Sequence, residues 1–355
     1  MSKEQQPVAV DQTYKILDDK LRHIDCNSAE FLLHNDSEEV LCIGLDIAWF
    51  GGSANNKDSQ YDNIGLVLIS PHNKQPQFSL TRVRLKNRDL DAVQLLTAVD
   101  CLLNKYQNIG RIVFAVDAPI QADDRSLPAR SPNLSKGTVQ RRACENHLDN
   151  QRRHLEKSKG RNDGWRPKIQ PGAPLAPRVT SLLDGLQHRG FTLWTHKDQC
   201  AERLVIECFP AEAIWSMRQL GHYPISANAT SVKAYKVQKG ILLSSEQVKH
   251  LVHDVLDAFS QVTASTAHWP FLVNKTIDQL LSDSTWQVNG YYRGGKYFDD
   301  VVDTMICLAT SLSYACNQAH VWQDPQHTND GHIIGPGFLN EGIWVPACNN
   351  SRGEY

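Results

Sequence analysis

Five carboxylates in this chain stand where an apolar segment ends or begins. Asp46 closes VLCIGLD (40–46) and Asp117 closes RIVFAVD (111–117). Glu207 lies near the end of RLVIECFP (203–210), and Asp300 and Asp303 open FDDVVDTMICLATSLSYA (298–315). A carboxylate is costly to bury unless it is hydrogen-bonded, paired or bound to a cation. Taken singly, most have an ordinary structural use. Asp46 can accept N–H groups in the turn that follows it, and Asp117 can cap the Ala118-Pro119 turn. Asp299 suits the N-cap of the last helix, where Asp300 would favour the dipole. Asp303 fits no such use, because it lies one turn into a strongly apolar helix. Taken together, carboxylates within reach of one another repel and are tolerated when cations neutralise them. Oxygen-only ligands suit Mg²⁺ or Mn²⁺. Two such ions roughly 3.5–4 Å apart activate water and stabilise a leaving oxygen in phosphodiester hydrolysis.

For the acids to converge, the segments carrying them must build one sheet with the last helix packed on its first strand. Residues 40–46 read as a buried strand, too short and too glycine-bounded for a helix. Residues 63–70 and 78–85 follow as two strands of an antiparallel meander, the second alternating Leu80, Arg82 and Arg84 outward against Thr81, Val83 and Leu85. A helix over 90–106 and a strand over 111–120 then introduce a parallel element. Another helix over 179–189 stops at Gly190, and 203–210 supplies the fifth strand. Residues 211–220 are helical, 231–281 form a helical region broken at Pro270, and 298–315 form the last helix, whose Val302, Ile306, Ala309 and Leu312 face the sheet. Ahead of these, residues 14–24 suggest one amphipathic helix with Ile16, Leu17, Leu21 and Ile24 on a face. The organisation read from this is an appendage (1–39), a first core part (40–120), a basic insertion or lid (121–200), and the rest of the core (201–345). That last part holds a helical insertion at 221–295, and a tail (346–355) follows it.

The net charge of −2 hides an asymmetry. Residues 125–168 hold twelve Lys and Arg against four Asp and Glu, a surplus of +8, so the remainder carries −10. A charge-rich insertion is commonly a solvated loop. Here Arg141, Arg142, Arg152, Arg153, Lys157, Lys159 and Arg161, mixed with His154 and Trp165, also make a phosphate-tracking surface of the kind that binds DNA or RNA. No apolar run approaches the ~20 residues that span a bilayer, and residues 1–15 lack the apolar core of a secretory signal, so a cytoplasmic protein is expected. Nine scattered cysteines without a C-x-x-C pair fit reduced thiols. Cys208 reads as inert, and His250 and His253, without a third ligand, as surface or core residues.

The combination of GLDIAW, AVDAP, RRACE, ECFPAEA, DDVVDTMICLAT and DGHIIGP resembles the family catalogued as domain of unknown function 429, predicted to be RNase H-like nucleases, across residues 40–336. That resemblance implies an α/β fold of RNase H-like type: a mixed five-stranded sheet, three antiparallel strands then two parallel, flanked by helices and carrying large insertions. It implies metal ligation by Asp46, Asp117 and Asp303, with Asp300 in the place of a further ligand. Glu207 matches a family acid of less defined role, and Arg142 and Glu145 of RRACE are expected near the site. Two other readings remain open at this stage. One is an actin-like or sugar-kinase-like ATP phosphoryl-transfer enzyme, which would need a glycine-rich turn such as Gly51-Gly52 and a duplicated domain. The other is a nucleic-acid-binding module without catalysis, which should have lost the acids.

Overall fold

In the computed structural model, the predicted core strands pair into one mixed sheet. The structure describes residues 24–25, 39–48, 61–70, 77–85, 91–120, 177–195, 198, 201–219, 236–237, 240–261, 269–316, 318–322, 331–336 and 343–344, with parts of 144–150. The sheet is built from β1 (Ile24–Asp25), β2 (Val40–Asp46), β3 (Tyr61–Ile69), β4 (Gln77–Arg84), β5 (Arg111–Val116), β6 (Thr192–Leu193) and β7 (Arg203–Glu207), ordered β1-β4-β3-β2-β5-β7-β6. β2, β3 and β4 are antiparallel neighbours, while β5 runs parallel to β2 and β7 parallel to β5. The two short strands β1 and β6 extend both edges beyond the five expected. Ile24, assigned to an amphipathic helix from its spacing, instead pairs with Phe78 as strand. The rest of that proposed helix lies outside the described residues.

Period-two alternation divides the sheet between two apolar layers. Leu41, Ile43, Leu45, Phe114 and Val116 face α1 (Val93–Lys105) and α2 (Pro177–His188). Cys42, Val113, Ala115 and Ile206 face the opposite layer, whose central member is α6 (Lys296–Ala315). Between α2 and α6 the chain adds α3 (Pro210–Gln219), β8 (Leu242–Leu243), α4 (Ser245–Leu256), α5 (Trp269–Ser282), β9 (Gln287–Val288) and β10 (Tyr291–Arg293). After α6 come β11 (Ala319–Trp322), β12 (Ile333–Pro336) and β13 (Ile343–Trp344). The insertion therefore carries a small sheet, β8-β10-β9, and the C-terminal part another, β12-β11-β13. Neither had a strong periodic signal, since most of these strands are too short to alternate.

Prolines begin helices here. Pro177 and Pro210 open α2 and α3, where a missing N–H costs nothing. Pro270, read as a break, is the second residue of α5, so it starts a helix and does not interrupt one.

α6 is buried from Asp300 to Ala315 without a solvent face, as an apolar helix inside two layers must be. It crosses β2, β3 and β5 on one side and meets α3, α4 and the β11–β12 pair on the other. Small residues let it approach. Gly44 of β2 pairs with Gly65 of β3 and Ala115 of β5, a row of minimal side chains across three strands. A Cβ on Gly44 would lie 2.6 Å from the Thr304 carbonyl oxygen and would collide with the Leu308 backbone. Two hydroxyls fix the crossing. Ser311 Oγ donates to Val113 O (2.8 Å) and Thr304 Oγ1 reaches Asn63 O (3.4 Å).

Candidate functional site

Convergence at one end of β2 follows from this packing. Asp46 is the last residue of β2, and Asp117 follows β5 directly, its N–H donating to Leu45 O (2.9 Å). Because Leu45 and Val116 are register partners facing α1 and α2, the next residue on each strand turns to the α6 side. There α6 presents Asp300 and Asp303, three residues apart and on one side of the helix. Asp46, Asp300 and Asp303 are all buried and Asp117 is half-buried. The helix begins earlier than its apolar pattern suggests. Gly295 takes the N-cap position without a capping side chain, so Asp299 does not cap; it lies in the first turn and accepts the Val237 N–H (3.2 Å).

Burial and neighbouring acids act on Asp46 and Asp300. Burial pushes the Asp46 carboxyl well above the usual range, Asp300 adds to this, Lys296 opposes it, and Asp117 and Asp303 raise it further. Asp300 is raised to about 6 by burial and by Asp303, against the pull of Lys296 and Lys236. Burial likewise lifts Asp299 to about 7 despite Lys236.

Two lysines that the sequence reading did not single out answer this repulsion. Lys236 Nζ lies 2.5 Å from Asp303 Oδ2, and Lys296 Nζ lies 2.5 Å from Asp300 Oδ1. Burial works against their charge, yet the acids more than reverse it and hold both ammoniums above the ordinary lysine range. Lys296 carried a readable signal, the i,i+4 spacing to Asp300. Lys236 carried none, since 67 residues separate it from Asp303.

Glu207 does not join the cluster. Its register partner Val116 faces the α1/α2 layer, so Glu207 points to the other side of the sheet, where it accepts the Ile120 N–H (2.6 Å). Its role there is to pin the segment after β5. Arg141, Arg142, Arg152, Arg153, Lys157, Lys159 and Arg161 lie outside the described residues, as do Gly51 and Gly52; Glu145 is buried. Cys208 is a buried thiol raised by desolvation, in keeping with an inert role. His250 and His253 sit on α4 opposite Asp254 and Asp257 one turn on.

An all-carboxylate donor set is what Mg²⁺ or Mn²⁺ takes, and in donor chemistry Asp46, Asp117, Asp300 and Asp303 fit. Among the described residues no three His, Cys, Asp or Glu side chains are spaced to hold one ion as they stand. Ammonium groups occupy two of the four acids instead.

The model of a family described as a protein of unknown function (DUF429) matches residues 78–328, well over half of the chain. The chain belongs to that family. The DUF429 match takes in Asp117, Glu207, Asp300, Asp303 and both lysines, and begins after Asp46 and the GLDIAW segment. No curated protein and no solved structure matches the chain. Among the described residues no helix is long and apolar enough to cross a membrane.

Proposed function

We propose that this protein is a divalent-metal-dependent nuclease of RNase H-like architecture, hydrolysing phosphodiester bonds in DNA or RNA. The observation that carries this reading is the meeting of four acids from three separate elements, Asp46 from β2, Asp117 from the end of β5, and Asp300 and Asp303 from α6, where the other three add to the proton affinity of buried Asp46. The order β4-β3-β2-β5-β7, three antiparallel strands followed by two parallel ones, with a helix across the first, supports the RNase H-like part.

In this reading the strand-end carboxylates Asp46 and Asp117 and the helix carboxylates Asp300 and Asp303 hold the Mg²⁺ or Mn²⁺. When bound, such an ion supplies Lewis-acid stabilisation of the charge that develops on phosphoryl oxygens. The chain supplies the rest. Asp46, with its raised proton affinity, can hold a proton at its carboxyl oxygen. Lys296, half exposed, can turn from Asp300 to a substrate phosphate. Packing of α6 into the Gly44–Gly65 row fixes the distance between the two pairs of acids, the preorganisation such catalysis needs.

The test is cleavage of labelled single-stranded and duplex DNA and RNA with Mg²⁺, Mn²⁺ or EDTA, comparing wild type with Asp46→Asn and Asp303→Asn. Metal-dependent cleavage is expected, reduced on the order of 10²–10³-fold in each variant. Cleavage that survives EDTA or either substitution would sink the reading.

A further inference from the structure

A second site adjoins the carboxylates. We propose that the cavity at the start of α6 is a subsite for one nucleotide unit bearing a phosphate monoester, free or at the end of a strand. This deepens the nuclease reading and rests on it for the link to the carboxylates. The cavity has a volume of about 380 Å³ and is walled by Tyr61, Arg82, Trp286, Arg293, Lys296 and Tyr297. That size lies in the small-ligand range of roughly 300–1,000 Å³, and suits a single nucleotide.

Charge argues for an anion. Three cations line the cavity and, among the described residues, no Asp or Glu does. Arg82 is held rigidly, its guanidinium 3.9 Å from the Tyr61 ring centroid and 3.7 Å from that of Tyr297, with Nε donating to Asn63 Oδ1 (3.2 Å). Asp283 stands 3.6 Å away, and Asp300 also acts on its charge. Sequence alternation had assigned Arg82 an outward position, but its face of β4 is the one that meets the α6 layer, and only 11% of the side chain is exposed. Arg293 is exposed and has no ion-pair partner among the described residues. The wall also includes Gly295, the N-cap of a 20-residue helix with no capping side chain, so the positive end of that helix adds to the field.

The aromatic content argues for a base beside the phosphate. Trp286 and Tyr297 meet edge to face, with centroids 5.0 Å apart, and Tyr297 continues into the Arg82–Tyr61 stack. Unpaired bases stack on rings such as those of Tyr61, Trp286 and Tyr297 where they line the cavity, while the Arg82 guanidinium is already covered by two of them. Lys296 connects the two sites, since it both lines the cavity and contacts Asp300. A nucleotide seated here would place the neighbouring phosphodiester toward the acids. Residues 240–295, from the 221–295 insertion, supply most of the wall.

Binding is read by fluorescence anisotropy in EDTA, with trinucleotides dye-labelled at one end and carrying phosphate or hydroxyl at the other. AMP, adenosine and inorganic phosphate serve as competitors. A terminal phosphate should tighten binding by about tenfold or more, and AMP should compete at least about tenfold better than adenosine or phosphate alone. Arg293→Ala should shrink the phosphate advantage and Arg293→Glu abolish it, at unchanged thermal midpoint because the residue is exposed. Equal affinity for both kinds of end, an advantage that survives Arg293→Glu, or phosphate competing as well as AMP overturns the proposal. Cleavage of the same oligonucleotides separates the two readings. End-selective binding without cleavage in any metal refutes the nuclease and keeps the subsite; cleavage without end preference does the reverse.

Discussion

The two faces of the central sheet both bury charge, and they do so in opposite ways. On the α1/α2 face, Arg178 and Asp62 are fully buried and joined by two parallel bonds of 2.7 and 2.6 Å. Ala48 completes the knot, its N–H donating to Asp62 (2.9 Å) and its carbonyl accepting from Arg178 (2.8 Å). One guanidinium meets one carboxylate through paired bonds, the arrangement that makes burial of an ion pair tolerable. On the α6 face, four acids meet two ammoniums on flexible stems, a third and a half exposed. One face saturates its charge and so fixes the exit of β2. The other sets carboxylates against one another beside two partly exposed lysines, which is where the proposed ion would sit.

Arg178→Ala should be the most damaging, at about 3–5 kcal/mol in urea denaturation, because Asp62 keeps its buried charge and loses the guanidinium; a loss under about 1 kcal/mol would mean the knot is not structural. Gly44→Ala forces a methyl into the α6 backbone and should cost about 3 kcal/mol, read by the same denaturation. Lys236→Met removes the ammonium from Asp303 and should cost about 2 kcal/mol. Added Mn²⁺ should restore its thermal midpoint by binding the native state, and indifference to Mn²⁺ would count against a cation site. Asp46→Asn should act in the opposite direction. Burial and Asp300 raise the Asp46 carboxyl above its unfolded value, which costs native-state stability once pH exceeds the ordinary carboxylate range, so metal-free stability at neutral pH should increase by about 1 kcal/mol, as at sites where function is held against stability.

Much of this frame could be read in the residues. The long strands β2 to β5, the fifth strand β7 and helix α6 follow from apolar runs and period, with ends displaced by up to four positions. The α6 acids were legible for the same reason: charge in an otherwise apolar helix has no local explanation. Glu207 was misjudged because its side depends on register against β5, and register is set by pairing, not by composition. Arg178 was hidden in a proline-rich run taken for a lid. Its role depends on Asp62, 116 residues away, and no local pattern connects them. Lys236 and Arg82 illustrate the same limit, since what each does is determined by a distant residue packed against it.

The lysines at the acidic site have a consequence for affinity. Lys236 and Lys296 already contact Asp303 and Asp300, so a cation taken up on either acid would have to compete with an ammonium. Metal binding in the proposed reading would then be coupled to the release of a lysine, and a lysine freed in that way would be available to another anion.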